Sequence, residues 1–450
     1  MPAQLELSRS PAFQITYRFL ITGPVAGALS AAVMLLAGPD LLNAVRSTYM
    51  IGALHIILIG FINLTMMGAL HQFIPVLSGR PIPGSRWVFQ TIYLLSVIGL
   101  FLFVTGMFRQ NRIAILAGAT CILCGHVLFL ISSLYTLAGI ARTDATLYGI
   151  RCSLYSFTTG NLLAGALAFE HGSGIYFPMH SSIRYLHIFF MSVGWVGLLI
   201  IAISIQVLPM FYVTREHMNF GSIRFLRSLF ALTVAHALLY LLRPYVNKLE
   251  FIINSVQSSV LIFLMCAGLL YCTRVLRALM KSNRPHPDAT VRFWQIGLSM
   301  LVLAILFGIV RTFCGFLVPM FNRTNYDATA LIIALDRYIL PILILPIACV
   351  LSLIQAMLFK IVPFLTWLHL FQSGFGSAPH VRAQIPGRLI QLQVLLFLLS
   401  LLGLILSLVN ATTWYRPAMV MLILNWSWLF GLLLRPGWIY YRIKSQEAST

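Results

Sequence analysis

The sequence predicts an all-α polytopic membrane protein with about twelve transmembrane helices. Three observations carry that prediction. Of the 450 residues, 60% are hydrophobic and 9% charged, whereas a soluble domain carries about a quarter charged residues. Apolar runs recur along the whole chain, each of about eighteen residues or more and so long enough to cross a ~30 Å hydrocarbon layer. The alternating pattern of a membrane β-barrel is absent, and a backbone in lipid must satisfy its own polar groups, which leaves helices.

The first span falls at 15–37. The leading "MPAQLELSRSPAFQITYRF" is too polar for a cleavable signal peptide, and the apolar run after it is long enough to stay as a span. Spans 2 to 5 are expected at 50–78, 87–107, 113–139 and 146–169, and spans 6 to 9 at 183–212, 221–245, 250–278 and 291–318. The segment 328–364 holds Pro341 and Pro346 and reads as one tilted, kinked helix, because neighbouring groups can re-satisfy the freed carbonyls. The last two spans fall at 387–410 and 415–435. No soluble domain is inserted, so residues 1–450 form a single transmembrane domain.

With the N-terminus inside, 20 of the 30 Lys and Arg residues fall on the cytoplasmic side. That bias places both termini in the cytoplasm. The net charge of +20 is spread over many loops rather than gathered in a stripe. It fits a basic face against anionic lipid and excludes a nucleic-acid partner. Seven cysteines in or near apolar spans do not make a secreted disulfide framework.

A repeat runs through the even-numbered spans. "GALHQFIPV" ends span 2, "AISIQVLPM" ends span 6 and "AMLFKIVPF" ends span 10. Aligned on Pro75, Pro209 and Pro363, they place Gln72, Gln206 and Lys360 one turn earlier, and the small residues Gly68, Ala202 and Ala356 one turn before that. Proline stops the ladder, a long polar chain snorkels, and small residues let helices approach. Recurrence at every fourth span points to a pseudo-threefold bundle. Three independent helix ends are the plainer reading.

Ionisable groups inside spans mark candidate sites. His55, His187 and His236, on spans 2, 6 and 7, all fall in the outer half. Neutral imidazole is the usual protein ligand for heme iron and copper; each ring could equally donate to a neighbouring carbonyl. His180, Arg184, His187 and Met191 share one face of span 6. Arg184 therefore suits an anionic group such as a heme propionate, or a lipid phosphate, and Arg416 is a second such residue. His71 reads as a snorkelling interfacial histidine, and His217, His286, His369 and His380 as solvated. "CILCGH" (121–126) reads as ordinary packing cysteines, because Gly125 breaks the C-x-x-C-H pattern. Asp336 and Arg337 read as partners of each other or of a neighbouring helix.

Twelve spans, the repeat and outer-half histidines on spans 2 and 6 together resemble the heme-copper oxidase subunit I superfamily. The likeness is closest to its small bacterial members, which include NnrS-type heme-and-copper membrane proteins linked to nitric oxide stress. "LHIILIGFINLTMMGALHQFIPVLSG", "LHIFFMSVGWVGLLIIAISIQVLPMFYV" and "AMLFKIVPFLTWLHLFQ" carry it. The resemblance implies a multi-pass protein of the bacterial inner membrane. It implies that His55 matches a heme ligand, that His187 matches a copper ligand, and that an electron-donor protein is a partner. It also exposes departures: His236 has no adjacent His pair, and span 10 has no outer histidine, with Asp336 or Tyr338 left to replace it. The expectation is thus a heme protein, with copper as a second candidate, acting in redox or nitric oxide handling without a complete oxygen-reducing centre. It would be a heme-dependent oxidoreductase if it is an enzyme. The alternatives are a non-enzymatic transporter or metal/heme assembly factor of the same fold, and a structural descendant without a cofactor.

Overall fold

The computed structural model describes residues 6–44, 46–140, 144–214, 222–245, 250–282, 288–321, 339–374 and 379–447. Among them are twelve long helices. They are α1 (Phe13–Ala37), α2 (Thr48–Ser78), α3 (Ser85–Arg109), α4 (Arg112–Ala138), α5 (Ala145–Ser173) and α6 (His180–Tyr212). Then follow α7 (Ile223–Leu242), α8 (Glu250–Met280), α9 (Thr290–Phe321), α10 (Ile339–Gln372), α11 (Gly387–Val409) and α12 (Ala411–Glu447). Eleven are long and apolar enough to cross a membrane. The exception is α5, whose 29 residues include Arg151, Glu170 and the polar run "TTGN".

Helix starts follow from their caps. The side chains of Ser47, Asn111, Asp144 and Ser222 accept from Met50 N, Ala114 N, Leu147 N and Phe225 N at 2.8–3.2 Å. Each satisfies one of the orphan donors of a first turn. Consecutive helices pack as neighbours, and α12 closes back onto α1. Phe13 stacks on Tyr440 at 4.1 Å, so both chain ends share one face, here called the chain-end face.

The inner helices are α2, α10 and α6. They are the most buried of the eleven, at 67, 56 and 50%. Two of them share an unusual backbone. α2 is π-helical over Ile56–Asn63 and α6 over Phe190–Gly197. Each segment begins 19 residues before the proline of its helix (56 to 75, 190 to 209). Each helix ends three residues past that proline. Gly79 N bonds Pro75 O and Val213 N bonds Pro209 O, with φ of 68° and 48°. A glycine adopts this left-handed cap freely, whereas a β-branched valine is strained there.

The third echo departs from the expected ending. α10 continues past Pro363 to Gln372, because its last turns have an inward face: Leu365, Leu368 and Leu370 are buried, and Gln372 donates to Leu7 O. Lys360 does not snorkel freely; it is paired with Asp288 just before α9. His369 is half-buried rather than solvated, 3.3 Å from Ser10 Oγ. Residues Asp336, Arg337 and Tyr338, like His217 and His286, lie outside the described residues. So does the expected start of span 10 at 328. The last helix runs from Ala411 rather than 415 and extends well past 435.

Close approach depends on glycine most clearly between α3 and α4. A Cβ on Gly118 would lie 2.2 Å from Phe103 N, and one on Gly106 would lie 2.6 Å from Ile115 N. At the α10–α11–α12 contact, Gln393 Nε2 donates to Gln355 Oε1 and Asn425 Oδ1 at 2.7 and 2.9 Å, all three residues fully buried. Lipid offers these groups no partner, so such bonds help to hold the three helices together.

Candidate functional site

His55 is the last α-helical residue before the π segment of α2, and His187 stands three residues before that of α6. Single π turns inside α-helices recur at functional sites. His55 Nδ1 lies 2.7 Å from Ile51 O on its own helix, and His187 Nδ1 lies 3.0 Å from Gly160 O on α5. A carbonyl oxygen only accepts, so in each neutral ring Nδ1 carries the hydrogen and Nε2 the lone pair. Neither Nε2 has a hydrogen-bond partner among the described residues. The Phe103 ring lies beside His55, with centroids 5.3 Å apart.

His236 is held differently. Its Nε2 is 2.7 Å from the Tyr185 hydroxyl, and its ring packs on Phe189 at 4.8 Å. Among the described residues, no group of three or more His, Cys, Asp or Glu side chains is placed to share one metal ion. Arg184, half-buried on α6, and Arg416, exposed on α12, make no ion pair with the described residues. His180, expected on the face of His187, instead pairs with Glu170 at 2.6 Å. That fully buried carboxylate also accepts from Phe177 N at 2.7 Å. Met191 lies one turn past His187 and packs against Gly160, where a Cβ would stand 2.6 Å from its sulfur.

A second polar cluster lies at the π segments. Trp195 Nε1 can only donate, so Asn63 Oδ1 accepts, at 3.1 Å. The Asn63 amide then donates to His126 Nε2 at 2.9 Å, and His126 Nδ1–H donates to Asn161 Oδ1 at 2.6 Å. Asn161 Nδ2 donates to Phe157 O at 2.7 Å. All four residues are buried. The chain of donors runs one way through α6, α2, α4 and α5. Sequence reading passed over it, and the signal was available: an asparagine in the middle of an apolar span, as in "FINLT" and "TTGNLL", needs a partner.

His71 corrects an expectation. It is fully buried rather than interfacial, among the rings of Phe19, Phe89 and Phe129, with centroids 3.9–5.2 Å away, and neither ring nitrogen is hydrogen-bonded. Cys121 and Cys124 of "CILCGH" are free, Cys124 on the exposed side of α4.

The sequence matches no known family model and no curated protein.

Proposed function

We propose that this chain is a heme-binding protein of heme-copper oxidase subunit I-like, three-part architecture, with both termini in the cytoplasm of a bacterial inner-membrane protein. One observation carries the proposal: two intramembrane imidazoles, each anchored through Nδ1 on a backbone carbonyl, each with Nε2 uncommitted. This is how metal-binding histidines are held, because the anchored nitrogen fixes both tautomer and ring orientation. The donor set fits heme iron, with copper as the second candidate. A bound heme would supply a redox-active iron with affinity for small diatomic gases such as nitric oxide.

The protein's own residues do the rest. His55 and His187 present lone pairs from two helices. Phe103 shields His55 from water. Arg184 and Arg416 are the cations for carboxylate groups at the outer edge. His236 holds the Tyr185 hydroxyl two residues before His187. Electrons would come from a separate donor protein.

Protein purified from cells supplied with heme should show a Soret band that is lost in His55→Ala and in His187→Ala. Absence of both heme and copper from the wild type, or full heme retention in both variants, refutes the proposal.

A further inference from the structure

We infer that His126 is the positioning residue of the His55–His187 pair, acting through Asn161 on one side and Asn63 on the other. The inference rests on the pairing proposed above but concerns side-chain geometry that exists without a cofactor. The oxygen that anchors His187 belongs to the peptide joining Gly160 to Asn161. His126 grips that peptide's neighbour: its Nδ1–H donates to the Asn161 side chain at 2.6 Å, and Asn161 in turn donates to Phe157 O at 2.7 Å. One turn of α5 is thereby clamped, and the carbonyl of Gly160 points where His187 needs it. On the other side, His126 Nε2 accepts from Asn63, the last residue of the π segment that begins one residue after His55. Trp195, inside the matching segment of α6, closes the link by donating to Asn63. The imidazole at 126 thus touches α2 and α5 directly, and α6 through one asparagine.

The ring is suited to this because it donates on one edge and accepts on the other. Glutamine offers the same two functions; leucine offers neither. The test uses full-length protein in lipid nanodiscs without added heme, with 15N-labelled histidine read by solid-state NMR. The wild type should show His187 in the Nδ1–H form with a hydrogen-bonded Nδ1 resonance. In His126→Leu that resonance should shift or split, and in His126→Gln it should return to the wild-type position. If His126→Leu fails to fold, Asn161→Ser replaces it: the serine hydroxyl can still bond Phe157 O but does not reach His126. A His187 resonance unmoved in a folded His126→Leu or Asn161→Ser protein overturns the inference, as does a shift that His126→Gln does not reverse.

Hemin titration then separates the two readings. The direct outer partner of a metal-binding histidine is worth about 10–100-fold in affinity; His126 stands behind that partner, so His126→Leu should lose up to about tenfold and His126→Gln little. A wild type that takes up no hemin overturns the cofactor proposal, while the NMR result still decides the role of His126.

Discussion

Replacing Gly118 by alanine should destabilise the protein, although alanine is the better helix former. A Cβ at 118 would lie 2.2 Å from Phe103 N, 2.6 Å from Phe103 Cα and 2.7 Å from Gly99 O. All three are backbone atoms, so no rotamer change relieves the clash. Ordinary contact needs about 3.5 Å, so α3 and α4 must part by roughly 1.3 Å at this level. Overpacking of this kind costs ~1–3 kcal/mol, and parting the helices also loosens the contacts at Gly99 and Gly106. The helix-propensity gain of alanine over glycine, up to ~1 kcal/mol, offsets only part. The matched control is Gly431→Ala on α12, where nothing lies within 4 Å of the added carbon; it should be neutral or slightly stabilising. Thermal unfolding in detergent, followed by a thiol-reactive fluorophore as buried Cys152, Cys272 and Cys349 become exposed, should place Gly118→Ala roughly 1–3 °C below wild type, because a chain of 450 residues shifts by only about 1 °C per kcal/mol. Because Phe103 borders His55, hemin affinity should fall as well. A Gly118→Ala protein as stable as Gly431→Ala would refute the view that α3 and α4 meet backbone to backbone.

Other outcomes follow from single contacts and are checked in the same assay. Val213→Gly should stabilise by ~1 kcal/mol, because it removes a β-branched residue from a left-handed cap that Gly79 fills without strain at the matching position; a loss of stability would deny that strain. His71→Phe or His71→Leu should be neutral or stabilising, since neither nitrogen of the buried ring is paired and an unpaired buried polar group costs ~1–3 kcal/mol; a large loss would show that His71 has a partner. Asp288→Ala should cost ~3–5 kcal/mol by removing the carboxylate beside Lys360, while Asp288→Leu with Lys360→Met should recover most of it; equal losses in both would refute the pairing. Burial alone would push the Asp288 carboxyl up. The Lys360 ammonium and the Thr290 donors outweigh it and hold the group below its ordinary value. That stability is therefore present above about pH 4 and lost as pH falls below it, and Asp288→Ala should flatten the acid limb of a stability–pH profile.

The spans were legible because apolar length is a local property. Each of the twelve expected segments overlaps one long helix. The exception in hydropathy is α5, expected as an apolar span at 146–169 but less apolar than the other eleven long helices, and its polar residues serve α4 and α6. Helix ends were less legible. Pro363 matches Pro75 and Pro209 in sequence, but continuation past it depends on Leu365, Leu368 and Leu370 finding cover from elements far along the chain. The site divides the same way. His55 and His187 stood out as ionisable groups in apolar spans, and the structure holds both by Nδ1. That His236 is taken by Tyr185, that His71 is sealed among three phenylalanines, and that His126 joins α2 to α5 are facts of tertiary contact between residues 18 to 63 positions apart. Neither π segment has a mark in composition; only the equal spacing to the two prolines betrays them.

That spacing has a consequence for how the chain tolerates changes in length. A π turn takes up more residues than an α turn, so each segment acts as a local phase correction along its helix. Removing one residue between Ile56 and Asn63 would let the ladder close with α spacing and leave His55 near its present phase relative to Pro75, whereas adding one would swing everything before it by ~100° about the axis. After such an insertion His55 would face a different neighbour while His187 kept its own. A one-residue insertion there should therefore be worse than a one-residue deletion, which loss of the π turn absorbs. The pair of histidines is registered by counting as much as by chemistry.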